Sequence, residues 1–371
     1  MNNYTDTIAG NRSDTKTACC SNKTLKVLFI ASGNHGAVSP VVGNQAEALR
    51  TEGVEIEWYL LKGKGFKGYL RNVKPLRRYL QEHPYDAIHA HYSLSAFVAS
   101  LAGVKPLVVS LMGDDVKASG WYKFIIRLFA WLFRWKAIIV KSKDMYRSLG
   151  IKRAIVIPNG VNMDRFQPMD KTECQKRLEW GTDAMRLDPV DEGKRKVHVL
   201  FPADASRPVK DYPLAEAAVQ ITNHKNEVNR ALAAEKLQTT NHIVLHAFEN
   251  TPNEETPYWY NAADVVLMTS KWEGSPNAIK EAMACSRPIV ATNVGDIAER
   301  TSGVEGCYVA QSREAQELAS LIEKALAFSQ TKGREKIIAD GLDAREINQR
   351  LIESYSANAQ SARTPYDDFR N

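Results

Sequence analysis

The chain has 371 residues, 44% of them hydrophobic and 25% charged, which is ordinary for a globular enzyme and long enough for two domains with separate cores. It contains no uninterrupted apolar run of the roughly 18–20 residues that a transmembrane helix needs, and its five cysteines show no metal or redox spacing and fit a reducing cytoplasm. Residues 25–165 carry 21 Lys and Arg against 10 Asp and Glu, whereas residues 166–371 carry 25 against 31, so an anionic partner is expected to meet the first half of the chain.

Residues 1–24 are polar and lack an apolar run, which predicts a disordered leader and not a signal peptide. Between residues 25 and 165, short apolar strands alternate with helical segments. The predicted strands are 26–31, 54–61, 85–91, 106–111, 137–141 and 154–161, and the predicted helices are 41–51 and 121–135. This alternation predicts a parallel sheet with helices on both faces, as in a Rossmann-like domain.

Residues 166–196 are charged and irregular, which predicts a linker with a short helix. The alternation then begins again and continues to about residue 333. Its predicted strands are 197–201, 243–247, 265–269 and 288–292, and its predicted helices include 213–221, 258–262 and 315–328. The sequence therefore predicts an α/β protein with two Rossmann-like domains and a cleft between them.

The segment 272–296 carries the strongest functional signal. Glu273 and Glu281 stand eight positions apart across a predicted helix start, where Ser275 suits the N-cap and Pro276 the first helical position. With Glu281 about one and a half turns into the helix, we expect the two carboxylates roughly 8–10 Å apart. The free N–H groups and the positive dipole end of the helix lie between them and suit a diphosphate. This order of groups matches a nucleotide sugar, in which a diphosphate joins a sugar to a ribose.

The same segment resembles the E-x7-E signature of the family-four retaining glycosyltransferases, a large group with the GT-B fold. The resemblance implies that Glu273 holds the hydroxyls of the donor sugar and that Glu281 holds the ribose. The residues expected to line the donor between them are Gly274, Ser275, Pro276 and Asn277.

The resemblance spans about residues 25–330 and implies a division of labour between the domains. The acceptor-side domain is expected at 25–165, the linker at 166–196 and the nucleotide-sugar-binding domain at 197–333, with the two Rossmann-like domains facing an interdomain cleft. A helical tail, residues 334–371, is expected to pack back on the first domain, as in that family.

The loop after the predicted strand 197–201 supplies cations. Members of the family carry an Arg and, five residues later, a Lys that neutralise the leaving diphosphate, on which negative charge grows in the transition state. Lys210 stands at the place of that Lys, but Arg207 lies only three residues before it. We predict catalytic roles for Lys210 and Arg207, with an exposed basic loop as the alternative.

Two segments of the first half are expected near the same donor. Gly36 ends a G-x-x-G loop after the first strand, where glycine lets the backbone approach a phosphate, although a plain turn has the same sequence. His91 ends a strand that resembles the D-x-I-H-x-H segment of the family and is predicted to be catalytic. The alternative for His91 is a packed or hydrogen-bonded residue at the strand end.

One position departs from the family pattern. Many members have T-x-H-G-x-D after the next strand, and its His contacts the donor sugar near the reacting carbon. Here Met112 stands in place of that His, and methionine cannot donate a hydrogen bond as imidazole does. Gly113 and Asp115 keep their places and are predicted to bind the donor, which favours altered specificity over an inactive site.

The helix predicted at 121–135 is aromatic, apolar and basic. Residues at helical spacing, for which core packing is the default interpretation, are Phe124, Ile125, Leu128, Phe129, Leu132 and Phe133. Further aromatic residues, more than a core stripe requires, are Trp121, Tyr122, Trp131 and Trp135. Together with the basic segment 62–78 they predict docking on an anionic membrane surface, with a solvated basic face as the alternative.

The sequence thus predicts a retaining glycosyltransferase of the hexosyltransferase type, which moves a sugar from a nucleoside-diphosphate sugar to a glycan or lipid-linked acceptor in cell-surface polysaccharide synthesis. The resemblance implies transfer without a metal ion or other cofactor, and no nucleic-acid partner is expected. The expected location is the cytoplasm, with peripheral attachment to the inner face of the membrane. Two alternatives stay open: a nucleotide-sugar epimerase with the GT-B fold, and a non-catalytic donor-binding subunit, which Met112 suggests.

Overall fold

A computed structural model of the chain describes residues 24–355 except 35, 37, 114, 116–118, 181–193 and 233–239. Nearly all of the predicted leader, part of the predicted linker and the end of the predicted tail lie outside the described residues. The described residues form two α/β domains, each built on one parallel sheet.

The first sheet has, within the described residues, six parallel strands in the order β2-β1-β3-β4-β5-β6. They are β1 (Lys26–Ser32), β2 (Glu55–Leu61), β3 (Ala87–His91), β4 (Leu107–Ser110), β5 (Ala137–Val140) and β6 (Ile155–Val156). The central strands are apolar and buried along almost their whole length because helices cover both faces of the sheet. The strand order reverses between β1 and β3, so the loops after these strands open where such sheets bind ligands.

The helices of the first domain divide between the two faces of this sheet. They are α1 (Pro40–Thr51), α2 (Gly65–Leu70), α3 (Val73–Glu82), α4 (Ser93–Leu101), α5 (Gly120–Leu132) and α6 (Lys143–Leu149). Helix α1 packs on the face that carries Phe29, whereas α3, α4 and α5 pack on the face that carries Leu28 and Ile30. The sequence did not reveal α4, because it is buried almost all round and therefore shows no apolar stripe.

The second sheet has five parallel strands among the described residues, in the order β11-β10-β9-β7-β8. They are β7 (Lys194–Phe201), β8 (Thr240–Ala247), β9 (Val265–Met268), β10 (Ile289–Thr292) and β11 (Cys307–Ala310). The helices are α7 (Lys171–Arg177), α8 (Tyr212–Leu232), α9 (Thr256–Ala262), α10 (Asn277–Ala284), α11 (Ile297–Thr301) and α12 (Ala315–Ala325). The order reverses between β7 and β9, so the loops after these two strands open side by side.

The chain then returns to the first domain through α13 (Gly333–Ala339) and α14 (Ala344–Tyr355). Near the start of α13, Arg334 donates to the carbonyl oxygens of Met163 and Phe166, at 2.9 and 2.7 Å. At the end of α14, the Tyr355 hydroxyl hydrogen-bonds to Nδ1 of His89 at 2.7 Å, and Lys136 Nζ donates to the Tyr355 carbonyl at 2.8 Å. Helix α14 therefore packs on the first domain next to α1 and the ends of its strands.

The start of α10 differs by one residue from the predicted helix start. The helix begins at Asn277, and Pro276 occupies the N-cap position with extended backbone angles, so the prediction of Ser275 as N-cap and Pro276 as first helical residue is wrong. The Ser275 hydroxyl instead accepts a hydrogen bond from Lys280 Nζ at 3.3 Å. The buried ammonium group of Lys280, one turn into the helix, thus binds the Ser275 hydroxyl, which would otherwise cap the backbone N–H groups.

The interpretation of the aromatic helix also needs correction. Trp135, predicted to be surplus to the core, is fully buried, and its indole N–H donates to the Ser100 hydroxyl at 2.8 Å. It lies beyond the end of α5, where Arg134 adopts a positive φ and turns the chain inward toward β5. Conversely, Phe124, Leu128 and Leu132, assigned by default to the core, are exposed.

Candidate active site

The two domains face each other at the carboxyl ends of their sheets. Gly113, after β4, lies against Gly274 of the second domain, since a Cβ added to Gly113 would stand 3.9 Å from the Gly274 nitrogen. A Cβ added to Gly274 would come within 3.2 Å of the Met145 sulfur in α6. Beside this contact, Lys143 Nζ and Glu299 Oε1 form an ion pair at 3.0 Å. The cleft is therefore narrow here, with little room for a side chain at Gly274.

An ion pair stands at the point where the order of the second sheet reverses. Lys210 lies in the loop after β7 and Glu273 in the loop after β9, and these strands are neighbours in the sheet. Lys210 Nζ donates to Glu273 Oε1 at 2.5 Å, and the two side chains are only 14% and 15% exposed. The Thr269 hydroxyl lies 3.0 Å from the Lys210 carbonyl, to which it donates. A cation and a carboxylate are thus held together at the cleft.

The Glu273 loop rests on a glycine of the next strand connection. Gly295, after β10, has a φ of +61°, and a Cβ there would lie only 2.5 Å from the Gly274 carbonyl oxygen. Both the backbone angle and the missing space require glycine at this position. The contact fixes the backbone directly after Glu273.

Glu281, the second carboxylate of the motif, is half-buried on the wall of a cavity of about 310 Å³. Its Oε2 accepts a hydrogen bond from the Tyr260 hydroxyl at 2.8 Å. Burial raises the pKa of Glu281, while the Tyr260 hydrogen bond and the charges of Arg165 and Lys280 act in the opposite direction. Asn277 also lines this cavity, which reaches from α10 to α1 and α14. The cavity therefore lies between the two domains and has the size of part of a nucleotide.

Lys280 is a site residue that the sequence did not reveal. It lies inside the E-x7-E segment, is fully buried, and its Nζ donates to the Asn159 carbonyl oxygen at 2.6 Å. Burial lowers the pKa of Lys280 to about 8. The Asn159 side chain in turn lies 3.4 Å from the Asn277 amide oxygen. The sequence signal available for this contact is Pro-Asn-Gly at residues 158–160, a turn pattern, and Lys280 on α10 binds the carbonyl oxygen of its Asn159.

Asp115 and His91 are both buried in the first domain. Asp115 accepts hydrogen bonds from the backbone N–H groups of Ser93 at 3.0 Å and Met112 at 2.9 Å, so it fixes the loop that carries Met112 and Gly113. Burial raises the pKa of Asp115 although these hydrogen bonds act against it. His91 packs against Phe29, with 4.5 Å between the centroids of the two rings, and burial holds the pKa of His91 well below its ordinary value. In the structure Asp115 supports this loop, and the contact of Asp115 with the donor stays a prediction.

Gly36 and Arg207 stand apart from these contacts. Gly36 is exposed with a φ of +78°, and a Cβ added there would meet nothing within 4 Å. Arg207 is exposed at the turn in which the Lys210 N–H donates to the Arg207 carbonyl at 2.9 Å. Among the described residues its guanidinium group joins no ion pair, so Lys210 reaches Glu273 and Arg207 does not.

Two parallel-sheet domains that face each other across a cleft, with a lysine and two carboxylates around a helix start, define the GT-B class of glycosyltransferases. Residues 36–165 match the family model described as Glycosyltransferase Family 4, and residues 201–327 match the model described as Glycosyl transferases group 1. Each match takes in most of one domain. The chain therefore belongs to the family-four glycosyltransferases, which confirms the resemblance drawn from the sequence.

Relatives with assigned names point to the same family. TuaC of Bacillus subtilis bears the name of a teichuronic acid biosynthesis glycosyltransferase. It is 26% identical to this chain over 250 residues, which cover 64% of this chain and 61% of TuaC. LpsB of Rhizobium meliloti, a lipopolysaccharide core biosynthesis mannosyltransferase, is 27% identical over 63% of this chain and 65% of its own length. A D-inositol 3-phosphate glycosyltransferase of Geodermatophilus obscurus is 28% identical over 68% of this chain and 62% of its own length. The chain thus spans somewhat less than two thirds of each relative.

Solved structures confirm the predicted fold. Sucrose-phosphate synthase from Thermosynechococcus elongatus superposes with a TM-score of 0.66 at 17% identity, over 89% of this chain and 98% of that one. The Anabaena protein HepE in complex with UDP-glucose superposes with a TM-score of 0.63 at 19% identity, over 89% of this chain and 99% of that one. At such identities the likeness establishes the GT-B fold and does not extend to substrates.

Proposed function

We propose that this chain is a retaining glycosyltransferase that moves a sugar from a nucleoside-diphosphate sugar to a hydroxyl of a glycan or lipid-linked acceptor. The observation that carries the proposal is the contact between Lys210 and Glu273 beside the start of α10, with Glu281 farther along the same helix. This arrangement offers, in order, a carboxylate for sugar hydroxyls, a cation with free helix N–H groups for a diphosphate, and a carboxylate for a ribose.

In the structure Lys210 and Glu273 satisfy each other. On donor binding, Lys210 turns to the diphosphate and Glu273 to the sugar hydroxyls. The acceptor hydroxyl attacks from the face that the diphosphate leaves, so the anomeric configuration is retained, and the leaving diphosphate accepts the acceptor proton. Lys210 and the N–H groups of α10 stabilise the growing negative charge, and the proposal includes no metal ion.

The named relatives guide the proposed acceptor. TuaC and LpsB carry names from teichuronic acid and lipopolysaccharide core biosynthesis, which supports a role in cell-surface polysaccharide synthesis with a glycan or lipid-linked acceptor. Other relatives are named for D-inositol 3-phosphate, so a soluble polyol phosphate is the competing acceptor class.

An exposed surface of the first domain supports attachment to an anionic membrane. Trp121 and Trp131 on α5 are 69% and 72% exposed. The further exposed apolar residues on α2 and α5 are Phe66, Phe124, Leu128 and Leu132. The segment 62–78, which includes α2 and lies on the same side of the sheet, exposes Lys62, Lys64, Lys67, Arg71, Lys74, Arg77 and Arg78. Aromatic residues beside a cluster of cations suit the interface of an anionic bilayer, here the inner face of the cytoplasmic membrane.

No helix in the described part of the chain is long and apolar enough to cross a membrane. The proposed attachment is therefore peripheral, and sedimentation with liposomes tests it. The wild-type protein should pellet with phosphatidylglycerol vesicles at low salt, much less with neutral vesicles, and be released as salt screens the contacts. Changing Trp121 and Trp131 to Ser should abolish pelleting, whereas Ile338→Ser, which removes an exposed apolar residue of α13, should not. No pelleting at low salt would favour a soluble acceptor.

The proposed transfer is tested by ligand binding followed by product analysis. Thermal unfolding with a panel of UDP-, GDP- and TDP-sugars identifies the donor, because a ligand specific for the folded state raises the melting temperature. The matching donor is then incubated with acceptors, and the anomeric configuration of the product is read by NMR. Conversion of the donor sugar without acceptor would identify an epimerase. Binding without turnover would identify a donor-binding subunit, and an inverted product would reject the retaining mechanism.

A further inference from the structure

A group of buried basic side chains at the ends of β3 and β5 is not used in the mechanism above. His89 and His91 lie on β3 and are fully buried, and Lys141, directly after β5, is only 2% exposed. His89 is satisfied by the hydroxyls of Tyr355, at 2.7 Å, and Ser110, at 2.8 Å. The other two are not: in the part of the chain that the structure describes, neither ring nitrogen of His91 nor Nζ of Lys141 has a hydrogen-bond partner.

These unsatisfied groups are costly to the folded protein. Burial lowers the pKa of Lys141 to about 7, and the positive charge of Lys280 acts in the same direction. Among the described residues no carboxylate shifts this pKa, so within them the positive charge of Lys141 is uncompensated in a low-dielectric environment. An apolar side chain of similar length would suit the fold better, so we expect the partner of Lys141 to be a ligand.

The position of Lys141 connects it with the cleft. The strands β4, β5 and β6 are neighbours in the sheet. Gly113 after β4 lies against Gly274, and Asn159 after β6 accepts a hydrogen bond from Lys280, so both flanking loops contact the second domain. Lys141 follows the strand between them and lies close enough to Lys280 for the two charges to interact. Lys141 therefore lies on the side of the first domain that faces the second, next to Lys280.

We propose that Lys141, with His91 beside it, binds an anionic group, a phosphate or a carboxylate, of a substrate held in the cleft. The ammonium group supplies charge and up to three donors, and neutral His91 supplies one N–H donor, which together suit an oxyanion. Met112, in the loop after the neighbouring strand β4, has no N–H or O–H to offer in the side chain. We take the anion to belong to a substrate of the proposed transfer, so this assignment depends on the proposed function. Both the donor diphosphate and an acidic acceptor have the required chemistry.

The test compares full-length wild type with Lys141→Met and with a matched control, Lys152→Met, which removes an exposed lysine of the same domain. Thermal unfolding is measured without anion and with pyrophosphate, phosphate or glucuronate at constant ionic strength. Without anion, Lys141→Met should unfold several degrees above wild type, because a buried unpaired charge is gone. Its affinity for the stabilising anion, measured by calorimetry, should be at least tenfold weaker, since a charge-assisted hydrogen bond is worth roughly 1.5–3 kcal/mol. Lys152→Met should match wild type in both measurements.

UDP distinguishes the two sources of the anion. If Lys141→Met weakens UDP and pyrophosphate binding together, the anion is the donor diphosphate. If UDP binds as in wild type while the response to phosphate or glucuronate is lost, the anion belongs to the acceptor. An unchanged response to every anion in Lys141→Met overturns the proposal, and Lys141→Gln repeats the comparison should the Met variant fold poorly. Because binding alone is measured, failure of the transfer assay would reject the proposed function without affecting this result.

Discussion

The strength of the ion pair between Lys210 and Glu273 can be tested quantitatively in the protein without ligand. At 2.5 Å and an effective dielectric constant of about 20, the gross attraction of the two charges is about 7 kcal/mol. Both side chains are about 85% covered, so desolvation offsets a large part of this attraction. Removing one partner of such a pair leaves a charge without compensation and costs about 3–5 kcal/mol, and removing both costs less than the sum of the single changes. We expect a coupling free energy of about 2–3 kcal/mol.

Urea unfolding of Lys210→Met, Glu273→Gln and the double variant, without ligand, measures this coupling. Lys271→Met is the matched control, because that neighbouring lysine is largely exposed and lies 3.8 Å from Asp211, so its loss should cost at most about 1 kcal/mol. In the transfer assay, Lys210→Met should lower turnover by about a hundredfold or more, as expected when a transition-state charge loses its partner. A coupling below about 0.5 kcal/mol would show that the two residues do not pair in the empty site and would refute the reasoning.

Three further outcomes follow from the same contacts. Glu281→Ala should weaken binding of the free nucleotide about tenfold to a hundredfold, as the loss of charge-assisted hydrogen bonds to a ribose implies, and unchanged affinity in calorimetry would reject the ribose assignment. Arg207→Ala should reduce turnover less than Lys210→Met, because only Lys210 reaches Glu273; the reverse order in steady-state kinetics would contradict the placement of this loop. Between about pH 7 and pH 10, the stability of wild type should rise relative to Lys141→Met, because the pKa of Lys141, about 7 when folded, lies below its ordinary value of 10.5, so unfolding takes up a proton in this window. Lys280 titrates in the same range in both proteins and does not affect the comparison. Parallel curves of stability against pH for the two proteins would show that burial does not lower the pKa of Lys141.

The sequence predicted the features that depend on local patterns. Strands such as 26–31 and 265–269 are short apolar runs separated by helical segments, and the structure has β1 and β9 at these places. The loops that carry Lys210 and Glu273 lie side by side because the order of the second sheet reverses at β7, which places β9 next to β7 on the side away from β8. The E-x7-E spacing could thus be recognised without knowledge of the packing.

What the sequence did not predict depends on contacts between distant residues. Lys280 donates to a carbonyl 121 positions away, which accounts for its burial, and its second contact, with the Ser275 hydroxyl, accounts for the one-residue change at the start of α10. The place of Trp135 is decided by a turn after α5 and by the Ser100 hydroxyl, neither of which a helical spacing rule contains. Helix α4 escaped notice because a buried helix has no polar face to define its period.

The two domains place different net charges at the cleft. On the second domain, Lys210 and Glu273 form a pair of zero net charge, so an anion gains there only by displacing Glu273. On the first domain, Lys141 has no partner among the described residues and lies near a second buried lysine, Lys280. An anion at Lys141 therefore gains attraction without breaking an ion pair, whereas the sugar must first separate Lys210 from Glu273. If the acceptor carries a negative charge, its acidic group at Lys141 offsets the repulsion between Lys141 of the first domain and Lys280 of the second. Substrate charge and closure of the cleft are then coupled, and a neutral acceptor would lack that coupling.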